Sequence, residues 1–334
     1  MEIIHVFVLN PAAGHSDRTE ELRILIETLC EKQNIKHAVL TSSYKGNASE
    51  LCASFARMHS DHICRFYSCG GDGTLNEVVS GVMDMDNVEI GCFACGTGND
   101  FIKIFDNVDY FQDMQRVVNG TPQTLDVMRL DTGHEKHGAI NICSMGVDAR
   151  VADWASRNKR RLPFSGKLVY DIALIKTFFS RLSRTYRVTI DGKRYDGEYA
   201  IIVAASGRFY GGGYYAVPEA EPDDGKLDFL LVKKVSHLQL IALIGDYQNG
   251  RHAEFAKHTV FVRGSEIELE TEKDEPINFD GEIVPGNKVK ISVCPGRAAF
   301  VVPEGCNIIH DAQAFERIRK QKAVKSSKQG KSLV

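Results

Sequence analysis

The sequence predicts an α/β fold followed by a β fold: an N-terminal parallel-sheet domain in three layers, helices on both sides, then a C-terminal antiparallel β-sandwich. Three observations predict it. Apolar runs of strand length alternate with stretches of helical period through the first third of the chain. After about residue 125 the pattern changes to short β-rich segments separated by Gly, Asp and Pro. Three small-residue loops follow predicted N-terminal strands, at the edge where open α/β sheets take their ligands.

In chain order, the apolar run Ile3–Leu9 stops at Asn10-Pro11, a strand-to-turn signal. Leu22, Leu25, Ile26 and Leu29 recur at helical spacing within 19–31. A short strand at 38–40, a helix at 49–58, a strand at 64–68, a helix at 74–82 and a strand at 90–94 complete the repeated βα units. In the second half, strands are expected at 187–190, 198–205, 227–232, 259–269 and 288–293, with one helix at 168–182. The domain boundaries read as 1–125 for nucleotide binding and 126–305 for a β-rich substrate domain. A helix within 306–320 is expected to pack back on the first domain, and 321–334 is a polar basic tail with the composition of a disordered segment.

Composition narrows the classes. The chain has 334 residues, 43% hydrophobic and 25% charged, with 41 Lys and Arg against 44 Asp and Glu, a net charge of −3. That length suits two cores, and that balance argues against a nucleic-acid partner. No apolar run reaches the roughly 18 residues of a spanning helix, and the start has no basic leader pattern. Nine scattered cysteines, with one CxxC at Cys92 and Cys95 and no second pair, read as reduced thiols.

The chemistry-bearing signal is Gly70-Gly71-Asp72-Gly73-Thr74, between a strand and a helix. Glycines there allow a sharp turn and close approach to a phosphate. The following helix offers unpaired N–H groups and the positive end of its dipole, and Asp72 suits Mg²⁺ or its water. A tight turn closing a βα unit is the bland alternative. The loops Asn10-Pro11-Ala12-Ala13-Gly14 and Gly96-Thr97-Gly98-Asn99-Asp100-Phe101 lie at the same edge and favour a nucleotide site. No GxGxxG follows the first strand, and Gly330-Lys331-Ser332 lacks the first glycine of a P-loop. Late in the chain, Asp280 and Glu282 flank Gly281. An extended segment would point both carboxylates to one face, where mutual repulsion suits them to act as a shared base; a solvated Asp-Gly turn is the alternative.

These motifs, Asn10 to Gly14, Gly70 to Thr74 with Asn76-Glu77, Gly96 to Asp100 and Asp280-Gly281-Glu282, stand in the order seen in the diacylglycerol kinase catalytic-domain family. From residue 1 to about 309 the chain resembles that family's small soluble bacterial members. The resemblance implies an ATP-dependent phosphotransferase that phosphorylates a hydroxyl of a diacylglycerol-like lipid, with Mg²⁺. It implies that Asn10, Pro11, Ala12, Ala13, Gly14, Thr41, Gly70, Gly71, Asp72, Gly73, Thr74, Leu75, Asn76, Glu77 and Thr97 line the ATP site, and that Asp280 and Glu282 are the catalytic pair. It also implies a structural Mg²⁺ held by the Asp224 carboxylate and the backbone carbonyls of Glu221 and Lys226. At Gly98 the chain departs from the family pattern, which as often has a bulkier or hydroxyl residue.

Residues 157–187 hold nine Lys and Arg and one acid, Asp171, interleaved with apolar and aromatic side chains. Such a stretch can lie on an anionic membrane, each cation contributing about 1 kcal/mol, or form an ordinary helix with a solvated basic face. The expected setting is cytoplasmic, with peripheral contact at the inner membrane face and the lipid as partner; the oligomeric state is left open, a homodimer included. Two rival functions fit the same motifs. An NAD kinase-like enzyme shares GGDGT but has a hydrophilic substrate. A non-catalytic nucleotide-binding regulator would not need Asp280 and Glu282 beside the nucleotide.

Overall fold

The computed structural model describes residues 1–14, 16–158, 172–173, 175–177, 180–251 and 256–310. The helix expected over 168–182 lies partly, and the C-terminal helix and basic tail almost wholly, outside the described residues. All nine cysteines are free thiols.

The N-terminal half is built from β1 (Ile3–Leu9), α1 (Thr19–Gln33), β2 (His37–Thr41), α2 (Asn47–Met58), β3 (Ile63–Gly70), α3 (Asp72–Val82) and β4 (Val88–Ala94). Its strands are parallel in the order β2-β1-β3-β4. Strand β1 is buried on both sides, which is why it reads as an unbroken apolar run. Ile4, Val6 and Val8 pack with Cys52 of α2 and Val78 and Val79 of α3. Phe7 and Leu9 pack with Leu22, Ile26 and Cys30 of α1 and with Met114 and Val117 of α4 (Met114–Val118). The four-residue spacing on α1 therefore matches the alternation on β1.

The second half holds β5 (Thr121–Asp131), β6 (Lys136–Ala139), β7 (Ile142–Gly146), α5 (Val147–Asn158), β8 (Arg184–Ile190), β9 (Lys193–Arg194), β10 (Gly197–Ala205), β11 (Phe209–Tyr210), β12 (Tyr214–Tyr215), β13 (Leu227–Lys233), α6 (His237–Gln248), β14 (Thr259–Gly264), β15 (Glu266–Phe279) and β16 (Glu282–Val302). Strands β7, β10, β8 and β15 pair antiparallel in a closed circuit. The circuit encloses Met145, Tyr186, Val188, Ile202 and Ile267 among others. The opposite face of β10 and β13 packs against α5 and α6 through Val147, Val151, Val203, Val232 and Tyr247.

Two expectations change. The span 259–269 is two strands, because the Asp191 carboxylate accepts the N–H groups of Ser265 and Glu266 at 3.0 Å and breaks the run there. The change of period near residue 125 suggests two separate sheets, whereas one hydrogen-bonded path joins both halves. The cause is the 21-residue β16, which starts in the second half and ends with Phe300 beside Ile90 of β4. Strand β5 runs antiparallel along most of it, from Asp131 opposite Lys290 to Thr121 opposite Val302.

Helices α2 and α3 touch where α3 carries Gly81. A Cβ there would stand 2.5 Å from the carbonyl oxygen of Ser49 and 2.8 Å from its Cα. Glycine inside a helix costs about 1 kcal/mol against alanine, so Gly81→Ala would stabilise an isolated helix. Here overpacking against backbone dominates, and we expect a loss of about 1–3 kcal/mol, read as a lower denaturation midpoint with an unchanged m-value.

Candidate functional site

The loops leaving β1, β2, β3 and β4 meet at the C-terminal edge of the parallel sheet. Asn10 donates from Nδ2 to Thr74 Oγ1 at 2.9 Å, and its Oδ1 accepts the Ala12 N–H at 3.0 Å. This fixes the first loop against the start of α3. Gly71 and Gly96 face each other so closely that a Cβ on Gly96 would lie 2.4 Å from Gly71 Cα. These glycines therefore serve loop-to-loop contact.

Asp72 is half-buried. Its Oδ1 accepts the N–H groups of Asp100 at 2.8 Å and Phe101 at 3.2 Å, ordering the loop after β4. Burial raises its pKa and the Asp100 carboxylate adds to this; the two amides oppose. Its other oxygen, Oδ2, would lie 3.0 Å from a Cβ on Gly98. That contact explains the glycine at this position: a larger residue would press on the carboxylate. Asp100 in turn accepts the Gly212 N–H at 2.7 Å and pairs with Lys103, tying this loop to the turn between β11 and β12.

Asp280 and Gly281 form a two-residue turn with φ of 50° and 92°, Phe279 pairing with Glu282 across it. The segment is not extended, so the two carboxylates do not share a strand face. Asp280 turns inward. Its Oδ1 accepts from Ile142 N at 2.8 Å and Asn141 N at 3.2 Å; its Oδ2 accepts from Ile140 N at 2.8 Å and Asn76 Nδ2 at 3.4 Å. Burial raises its pKa to about 6, against the lowering effect of these donors and with a further rise from Asp72. Glu282 instead pairs with Lys45, Oε2 to Nζ at 2.6 Å.

These groups border one cavity of about 1120 Å³. One end is polar and is lined by Asn10 to Gly14, Thr41, Lys45, Gly71 to Thr74, Glu77, Gly96 to Gly98, Asp100, Asp280 and Glu282. The other end is apolar, between β10, β13, α5 and α6, with Val151, Ile201, Val232, Val235, Leu240, Leu243 and Ile244. On its wall Asp148 accepts the Tyr210 hydroxyl at 2.9 Å, and that hydroxyl lies 2.8 Å from the hydroxyl of Tyr247.

Most residues expected at the nucleotide are thus brought together, but three do not line the cavity. Gly70 packs under Thr74, Leu75 belongs to the core, and Asn76 is buried between Asp280 and the carbonyl oxygen of Gly138, to which it donates at 2.8 Å. Glu221, Asp224 and Lys226 lie outside it. Glu221 accepts from Arg208 at 2.7 Å; Asp224 pairs with Arg263 and accepts the Lys226 N–H at 3.0 Å. The ligand atoms that do converge there, within 4.8 Å, belong to Glu221, Asp223 and His310. Sequence reading missed Lys45, Asn141, Asp148, Tyr210 and all of α6. Only α6 carried a usable signal: Ser236 and Gln239 form a capping box ahead of its apolar run.

Residues 5–130 match the family described as the diacylglycerol kinase catalytic domain, and residues 141–302 the YegS C-terminal NAD kinase beta sandwich-like domain. Among curated proteins, "Putative lipid kinase SAR0780" of Staphylococcus aureus (strain MRSA252) is 26% identical over 278 residues, covering 82% of this chain and 88% of that one. "Putative lipid kinase SAB0675c" of strain bovine RF122 / ET3-1 is 25% identical over the same length. A crystal structure of a putative diacylglycerol kinase from Bacillus anthracis str. Sterne shares the fold, with a TM-score of 0.69 at 22% identity over 92% of this chain and 97% of that one. A second from the same organism has a TM-score of 0.68 at 20% identity, over 92% and 99%. No described helix is long and apolar enough to cross a membrane.

Glu77 supplies what α2 lacks. The N-cap of α2 is Gly46, which has no side chain to cap with, and the Glu77 carboxylate accepts the N–H groups of Gly46 at 2.9 Å and Ala48 at 3.1 Å. Losing a helix N-cap costs about 0.5–2 kcal/mol. Glu77→Ala should therefore lower stability by that amount in a denaturant titration, and Glu77→Gln, which keeps one acceptor oxygen, by less.

Proposed function

The chain belongs to the diacylglycerol kinase catalytic-domain family, and from that premise we propose that it transfers the γ-phosphate of ATP to a hydroxyl of a diacylglycerol-like lipid. The observation that carries this is one cavity with two chemically different ends and a buried carboxylate, Asp280, on its wall. The polar end suits a nucleotide triphosphate: small-residue loops at strand ends line it beside the start of α3, and a helix N-terminus favours an anion. The apolar end suits acyl chains, which bind by area removed from water. A hydrophilic acceptor such as NAD would leave that apolar compartment unused.

Asp280 is oriented by one short N–H bond to each oxygen, from Ile142 and Ile140, and borders the polar end. In the reaction the lipid oxygen attacks the γ-phosphorus, and the bond from phosphorus to the bridging oxygen breaks with its electron pair left on ADP. The lipid hydroxyl proton passes to the Asp280 carboxylate. The carboxylates of Asp72 and Glu282 are hard oxygen donors of the kind Mg²⁺ takes. When bound, Mg²⁺ would neutralise phosphate charge, the main requirement of phosphoryl transfer.

An Asp280 acceptor sets the pH dependence. It must be ionised to take the proton, so kcat/KM should fall about tenfold per pH unit below its pKa of about 6 and level off above it. Asp280→Asn should lower kcat by about 10²–10⁴-fold with little change in ATP affinity, because the loss falls on the transition state. The test is product analysis after incubation with Mg-ATP and a panel of lipids in detergent, with NAD as control acceptor. Phosphorylation of NAD and of no lipid would overturn the assignment, as would an Asp280→Asn enzyme retaining turnover within a few-fold.

A further inference from the structure

The polar end of the cavity has an imbalance of charge. The acids Asp72, Glu77, Asp100, Asp148, Asp280 and Glu282 border the cavity, whereas among its described lining residues Lys45 is the only lysine and no arginine is present. Among the described lining residues, a triphosphate entering that end meets one cationic side chain, Lys45. Lys45 sits in the loop between β2 and α2, with its side chain 67% exposed and its Nζ on Glu282. The other oxygen of Glu282, Oε1, would lie 3.7 Å from a Cβ on Gly73, so the pair stands over the first turn of α3, where phosphate is expected. The loop itself is pinned by Glu77, which holds the N–H groups of Gly46 and Ala48 on either side of Asn47.

We propose that Lys45 is a catalytic cation: in the nucleotide-bound enzyme its ammonium leaves Glu282 and contacts the transferring phosphoryl group. Glu282 is its counter-ion in the nucleotide-free state and Glu77 its positioning residue. This inference rests on the kinase reading above. The chain offers no P-loop lysine, and the glycine turn at 70–73 contains no cation, so the charge must come from elsewhere in the fold. The long stem of lysine lets it move between two anions without backbone change. During transfer Lys45 stays protonated; the electron pair of the broken bond remains on ADP and the lipid proton goes to Asp280. The pairing also gives Glu282 a role different from that of Asp280, in keeping with their divergence at the turn.

The experiment compares wild type with Lys45→Met, Lys45→Arg and Glu282→Gln by calorimetric binding of AMP and a non-hydrolysable ATP analogue, and by steady-state turnover on the best lipid. Lys45→Met should leave AMP binding and thermal midpoint unchanged, weaken the triphosphate about tenfold, and lower kcat about 10²–10³-fold, the usual effect of removing one transition-state donor. Lys45→Arg should recover most of the turnover, and Glu282→Gln should cost far less than Lys45→Met. Equal triphosphate binding and turnover within threefold for Lys45→Met would overturn the role of Lys45 and leave the kinase reading standing. A wild-type protein that binds no ATP analogue would overturn both.

Discussion

A buried carboxylate must find hydrogen-bond donors, and in this protein the donors are backbone amides of other segments. Asp280 takes the N–H groups of Ile140, Asn141 and Ile142, and so joins the β15–β16 turn to the start of β7. Asp72 takes those of Asp100 and Phe101; Asp100 takes that of Gly212; Glu77 takes those of Gly46 and Ala48. Each acid sits on one segment and organises another. The site is therefore held together by the same groups that border its cavity, and its geometry and its electrostatics are one problem.

That constraint explains why the two halves of the chain are not independent. Asn76 of α3 reaches Asp280 of the β15–β16 turn, and Asp100 reaches the turn after β11. Strand β16 then carries the chain from that turn back to β4. The cavity lies along this junction, with glycine-rich loops from one half and the apolar walls of α5 and α6 from the other. Burial without full compensation leaves Asp280 with a pKa near 6, high enough to exchange a proton around neutral pH.

The legible parts of the fold are those with strong local patterns. Strand β1, helix α1, helix α2 and the strand-to-helix turn at 70–74 follow from apolar period and glycine placement. Helix α6 was hidden because its sequence is apolar on both sides: Leu240, Leu243 and Ile244 face the cavity, while Leu238 and Ile241 are exposed. Such a segment shows no helical stripe, and only its capping box marks it. The break at Ser265 was hidden because its cause, Asp191, lies 74 residues away.

From sequence alone follow the alternation of strands and helices, the gathering of glycine-rich loops at one sheet edge, and the choice of Asp72, Asp280 and Glu282 as candidates, since backbone freedom and residue chemistry are local properties. Only the tertiary structure decided what those acids face. The positive φ at Asp280 and Gly281 turned two carboxylates expected on one face toward different partners, Asp280 to three amides and Glu282 to Lys45. It also decided that Lys45, in a polar loop with no motif, stands over the first turn of α3. Partners 138 to 237 residues apart in sequence are set by the closure of the whole chain, and no local preference encodes them.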